Sequence, residues 1–180
     1  DYDDITQEFM ATVIREYHVW LCAQAPMPDH TQETLLLNTS WARGCQVMTM
    51  NLAHTPQLVT IQGSQIHGQL KTKLWPLVEA VYGFYSSQSK SAIKKNRALA
   101  EELKEGMNFA FKVRLYCHIW HGFLKAPLIQ KIVNMMWFTN KDDDSIAFPE
   151  HFKLFPHPAL ALVLTAIECC IDEWATGVGS

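Results

Sequence analysis

Pro158-Ala-Leu-Ala-Leu-Val-Leu-Thr-Ala-Ile-Glu-Cys-Cys-Ile-Asp-Glu-Trp-Ala-Thr-Gly177 decides the fold class. Leu160, Leu164, Ile167, Ile171 and Trp174 recur at spacings of three and four, the period of a helix with one buried stripe. Leu162, Val163 and Ala166 make the early turns apolar nearly all round, as in a helix at the centre of a bundle. Proline at its start and glycine past its end set its limits. The reading therefore puts Leu160, Leu164, Ile167 and Ile171 at the core.

Helical periods extend outward from this segment. Pro127 starts a helix through Ile129, Ile132, Val133, Met136 and Trp137. Between these two helices, Asn140 to Pro158 reads as a long loop, acidic at Asp142, Asp143 and Asp144. Upstream, residues 107–125 mix the periods of helix and short strand. A helix over about 90–105 turns Lys94 and Lys95 away from Ala98, Leu99 and Leu103, and Ser86 to Ser89 form the clearest loop. Gly63, Gly68 and Pro76 predict a broken or kinked helix over 56–85. At the front, Ile5, Phe9, Val13, Tyr17, Trp20 and Leu21 mark a first helix, with Asp4 as N-cap and Pro26 and Pro28 as its stop. Asp29 opens a second helix through Leu35, Leu36, Trp41, Val47 and Met50, ending near His54, with Pro56 starting the next. The expectation is an all-α bundle of six or seven helices, a single domain over 1–180 cut from a longer chain.

Composition agrees with a well-filled core: 48% of residues are hydrophobic and only 18% charged. That excludes a disordered chain, which needs low hydropathy and high charge. Cysteines at 22, 45, 117, 169 and 170 are odd in number and have no framework spacing, so they read as reduced thiols of an intracellular protein. A nuclear location is compatible with this, since targeting signals would lie in the longer chain. The most apolar run, Ala159 to Ile167, falls far short of the ~20 residues a membrane helix needs. No membrane partner is expected.

Three stretches resemble one known family: Gly68-Gln-Leu-Lys-Thr-Lys-Leu-Trp-Pro-Leu-Val-Glu-Ala-Val-Tyr-Gly-Phe84, Pro127-Leu-Ile-Gln-Lys-Ile-Val-Asn-Met-Met-Trp-Phe138, and Ala159 to Gly177. The family is an uncharacterised domain of unknown function abundant in mushroom-forming basidiomycete fungi. The resemblance implies a fungal source and an association with genomes rich in mobile elements. It implies no catalytic residues, because the family has no established activity.

Several patterns bear on chemistry. Gly63 to Gly68 has the glycine spacing of a phosphate loop, but Gln69 and Leu70 separate it from Lys71-Thr72, and the motif needs them contiguous. Asp142 to Asp144 read as a solvated acidic turn rather than a magnesium site. Glu168, Asp172 and Glu173 lack the Glu-x-x-His pairs of a di-iron bundle. His18-x-x-x-Cys22 and Cys117-x-x-x-His121 would supply a Cys2His2 zinc tetrahedron if both pairs were helical and faced one another. Buried cysteines and partly buried histidines are commoner in bundles than such sites, so the cofactor expectation is none, with zinc as the exception to test.

Charge is segregated: residues 71–131 hold eleven Lys/Arg against four Asp/Glu, while both flanks are acidic. Lys71, Lys73, Lys90, Lys94, Lys95, Arg97, Lys112 and Arg114 could present one phosphate-binding face, making a DNA-binding domain the second functional reading. The bland alternative is neutralisation by the acidic flanks. An enzyme of unrecognised type is the third reading. The first is a non-catalytic protein-interaction or oligomerisation module of a fungal intracellular protein, because six Trp, nine Phe and seven Met among so few charges should leave an apolar patch exposed.

Overall fold

The computed structural model describes residues 3–49, 57–115, 119–141 and 143–176. Among them are eight α-helices and one two-stranded ribbon, so the chain is helical as its periods predict. In order these are α1 (Asp4–Gln24), α2 (His30–Met48), α3 (Gln57–Tyr82), α4 (Lys90–Lys104), a 3-10 segment (Glu105–Ala110), β1 (Phe111–Leu115), β2 (Ile119–Phe123), α5 (Pro127–Trp137), α6 (Asp144–Ala147), α7 (Pro149–Phe152) and α8 (His157–Thr176). Six helices are long. The single turns α6 and α7 interrupt what reads in sequence as one loop.

Two compact units emerge: Asp1–Gly68 with Asn140–Leu162, and Gln69–Thr139 with Val163–Ser180. The chain passes from one to the other within α3 and within α8.

In the first unit, α1 packs on α2. The α1 cap is Asp3, one residue earlier than the expected Asp4, accepting from the Thr6 amide at 2.7 Å. Asp29 caps α2 in a reciprocal box with Gln32, which satisfies two backbone donors that a helix start leaves open. Phe9 meets Trp41 edge-on at 5.0 Å, and Val13 and Tyr17 are fully buried. At Gly44 the helices are so close that a Cβ would lie 2.5 Å from Val13 Cγ2. Ile5, Leu35 and Val47, named above as apolar positions of these helices, are 59%, 65% and 54% exposed. Met50, His54 and Pro56 lie outside the described residues.

In the second unit the core comprises Leu70, Leu74 and Val78 of α3, Leu128 and Ile132 of α5, and Val163, Ile167 and Ile171 of α8, all essentially inaccessible. Trp174 stacks on Trp75 at 4.8 Å and on Phe84 at 5.7 Å. Of the break or kink expected in α3, the break does not occur. The helix runs through Gly63, Gly68 and Pro76 to Tyr82. An internal proline costs about 3 kcal/mol. Pro76 itself is exposed, while Leu74, Leu77 and Val78 around it are buried, each contributing about 1.5–3 kcal/mol. Burial wins. Gly83, at φ +77°, then ends α3 in a conformation that favours glycine.

The register of α8 also needs correction. Leu160 and Leu164 are only half-buried, whereas Ala159, Leu162, Val163, Ile167, Cys170, Ile171 and Trp174 are buried. Where early turns are apolar all round, apolar spacing cannot choose the inward side. The polar residues choose it: Thr165, Glu168, Cys169 and Asp172 point outward and leave Leu164 at their border.

Candidate functional site

All eight basic residues of the DNA-binding reading belong to the second unit, and they divide by what they touch. Lys71 Nζ donates to Glu173 at 2.7 Å, which holds its ammonium above its ordinary pKa. Lys73 Nζ is taken up by the Met135 carbonyl at 2.7 Å. These two join α3 to α8 and α5; Lys71 does so by pairing with an acidic residue of the C-terminal flank, as the bland reading expected, and Lys73 through a neutral carbonyl. Lys104 does similar work, 2.6 Å from Asp172 and 3.8 Å from Glu168.

Lys90, Lys94, Lys95 and Arg97 are exposed on α4. The helix forms here because Ser89 caps it, accepting from the Ala92 amide, and because its buried face is small: Ala92, Asn96, Ala100 and Leu103. This corrects the expected inward face, since Ala98 is exposed and Leu99 half-buried. Lys90, Lys94 and Arg97 follow one another at i, i+4 and i+7, a stripe about 10 Å long at 1.5 Å per residue. Together with Ile93, Ala98 and Glu101 they line an open depression of about 550 Å³.

Around the helix from this stripe, about 100° past Lys94, Lys95 places its Nζ 5.1 Å from the ring centre of Tyr85, which is 49% exposed. The backbone of Tyr85 is held by a buried side chain. The Tyr85 amide donates to Asn96 Oδ1, and Asn96 Nδ2 donates to the Tyr85 carbonyl, both at 2.9 Å. Asn96 is 2% exposed, so the helix that carries the cations also fixes the aromatic. Neither Tyr85 nor Asn96 is singled out by periodicity. The sequence signal for Tyr85 is an aromatic at the edge of a serine-rich loop before a basic run, whereas Asn96 has none. Replacing Asn96 by Ala should cost about 1–3 kcal/mol, since it leaves two backbone groups unpaired. Denaturant titration checks the loss, and amide exchange should quicken at residues 85–89; unchanged exchange there would refute the clamp.

Lys112 and Arg114 lie on β1, away from the α4 stripe in sequence. The ribbon is antiparallel, pairing Phe111 with Phe123 and Arg114 with Trp120. At its base Lys112 and Lys125 flank Gly122, where a Cβ would come within 3.1 Å and 3.4 Å of theirs. Lys125 is a cation that the sequence reading passed over.

The zinc pairs fare differently. His18 and Cys22 share α1, but His18 Nδ1 lies 4.0 Å from Asp144, to which Arg15 also reaches at 3.6 Å. Burial keeps the Asp144 carboxyl above its ordinary pKa despite the neighbouring Arg15 and His18. His121 sits on a strand, not on the helix that its spacing from Cys117 requires. Cys117, His118 and Asp142 lie outside the described residues. Among the described residues no three His, Cys, Asp or Glu side chains gather as metal ligands. Nor is any described helix long and apolar enough to cross a membrane.

No curated protein and no solved structure matches the chain. The model of one family, the domain of unknown function DUF6532, matches residues 12–180, and the chain belongs to that family.

Proposed function

We propose that the chain is a non-catalytic interaction module of a fungal intracellular protein, holding a protein partner or a second copy of itself through its first unit. One observation carries this reading. Among the described residues, every large apolar side chain more than half exposed belongs to that unit: Leu154 (87%), Leu35, Met27, Ile5, Val47 and Ile146. Single exposed apolar residues are ordinary on any surface. Val81, Tyr85, Met107, Phe123 and Phe138 of the second unit are 37–49% exposed. The first unit therefore stands out by how far its apolar side chains are exposed, and exposed apolar surface is what partners cover.

Sedimentation velocity over the micromolar range tests the reading. Wild type should associate with rising concentration, and a Met27→Ser, Leu35→Ser, Leu154→Ser variant should need about tenfold more protein, as loss of about 1.4 kcal/mol implies. A wild type that stays monomeric, with a triple variant that still binds every protein the wild type captures, would remove the reading.

A further inference from the structure

We propose that the exposed face of α4, with Tyr85 beside it, is a docking platform for single-stranded nucleic acid. The inference concerns the second unit and rests on no part of the self-association reading. Its first support is charge complementarity. Lys90, Lys94 and Arg97 form a single file along an open depression, with Glu101 as the one acidic residue lining it. Lys95 carries a further positive charge about 100° round the exposed face from Lys94, toward Tyr85. A file of cations on one helix face suits the repeating phosphates of a nucleic-acid strand, each contact releasing counterions. Lys71 and Lys73, already committed within the fold, are not part of it.

The second support selects the strand over the duplex. Tyr85 is a half-exposed aromatic whose backbone is clamped at both its amide and its carbonyl by one buried side chain. A loop aromatic without such a clamp would lose conformational freedom on binding, so the clamp lowers the entropy cost of a stacking contact. Unpaired bases present faces that stack on such a ring, with sequence-tolerant affinity, and cations track the backbone beside them. A duplex keeps its bases stacked inside and has little use for the ring. Ile93 and Ala98 supply an apolar lining between the charged stems, suited to a base or sugar.

Fluorescence anisotropy with a labelled oligothymidine, on the whole chain, tests the platform. Wild type should bind with an affinity that falls with salt. A Lys90→Ala, Lys94→Ala, Arg97→Ala variant should weaken binding and flatten the log–log salt slope by about 2, at roughly 0.7 per lost contact. Tyr85→Ala should weaken binding by about 5- to 150-fold, with the salt slope unchanged, because stacking is not a counterion effect. Tyr85→Phe should restore it. Heparin, a polyanion without bases, separates the two terms: its binding should respond to the triple variant and ignore Tyr85. All these side chains are exposed, so each variant should fold as wild type does, which circular dichroism checks. Absence of oligothymidine binding at low salt would overturn the proposal. So would a Tyr85→Ala variant that binds oligothymidine as wild type does, or a duplex of equal length bound as tightly as the strand; either result would leave a general polyanion surface in its place.

Discussion

Truncating Ile167 to Ala is expected to lower the stability of the chain by about 2–5 kcal/mol, the range for removing a fully buried branched side chain and leaving a cavity. Ile167 has no accessible surface, and it lies on the inward line of α8 between Val163 and Ile171, both equally buried. The loss is a large share of the ~5–15 kcal/mol that holds a typical domain folded. Leu164→Ala is the informative comparison. It truncates a side chain of the same size three residues earlier, from a half-buried position, and should cost clearly less. Guanidinium titrations of the two variants decide the register of α8. Equal losses, or a larger loss at Leu164, would place the other stripe inward.

Gly44→Ala should destabilise the chain, although alanine favours a helix over glycine by about 1 kcal/mol. The new methyl would sit 2.5 Å from Val13 Cγ2 and 3.5 Å from the Phe9 ring. Val13 is buried and β-branched, with few rotamers to retreat into. Overpacking of this kind costs about 1–3 kcal/mol, more than the propensity returns. A Val13→Ala background sharpens the test. Val13→Ala alone opens a cavity, and the methyl introduced by Gly44→Ala would then fill space instead of meeting another methyl. The two changes should therefore cost less together than their sum, with a coupling of about 0.5–3 kcal/mol. Thermal unfolding of the four proteins of this cycle measures it. A Gly44→Ala protein as stable as wild type would show that α1 and α2 are not closely apposed there.

The elements whose cause is local were legible from residues alone. Asp29 before α2 and Pro127 at the first turn of α5 each start a helix through groups within one turn, whereas the Gln32 half of the α2 box and the Ser89 cap of α4 appeared only in the structure. The α-helical class follows from periodicity repeated over most of the chain. The mixed pattern of 107–125 likewise resolved into a 3-10 segment and a short ribbon. Competition between a local rule and distant burial was not legible. Pro76 argues for a break, and only the buried residues around it show why α3 continues.

The basic segment shows the same division. Its excess of cations and its confinement to residues 71–131 are properties of the sequence, since charge is carried by residue type and order. Which of those cations stay open was decided by partners far along the chain: Lys71 meets a carboxylate 102 residues away and Lys73 a carbonyl 62 residues away. The clamp of Asn96 on Tyr85 and the fit of Gly44 against Val13 arise in the same way. Helix type and net charge depend on residue type and on neighbours within a turn, so sequence alone determined them, and it located the α1 cap to within one residue. The inward side of α8, the closeness of α1 to α2 and the free face of α4 depend on which surfaces meet, and only tertiary packing selects among helix faces whose own residues fit more than one orientation.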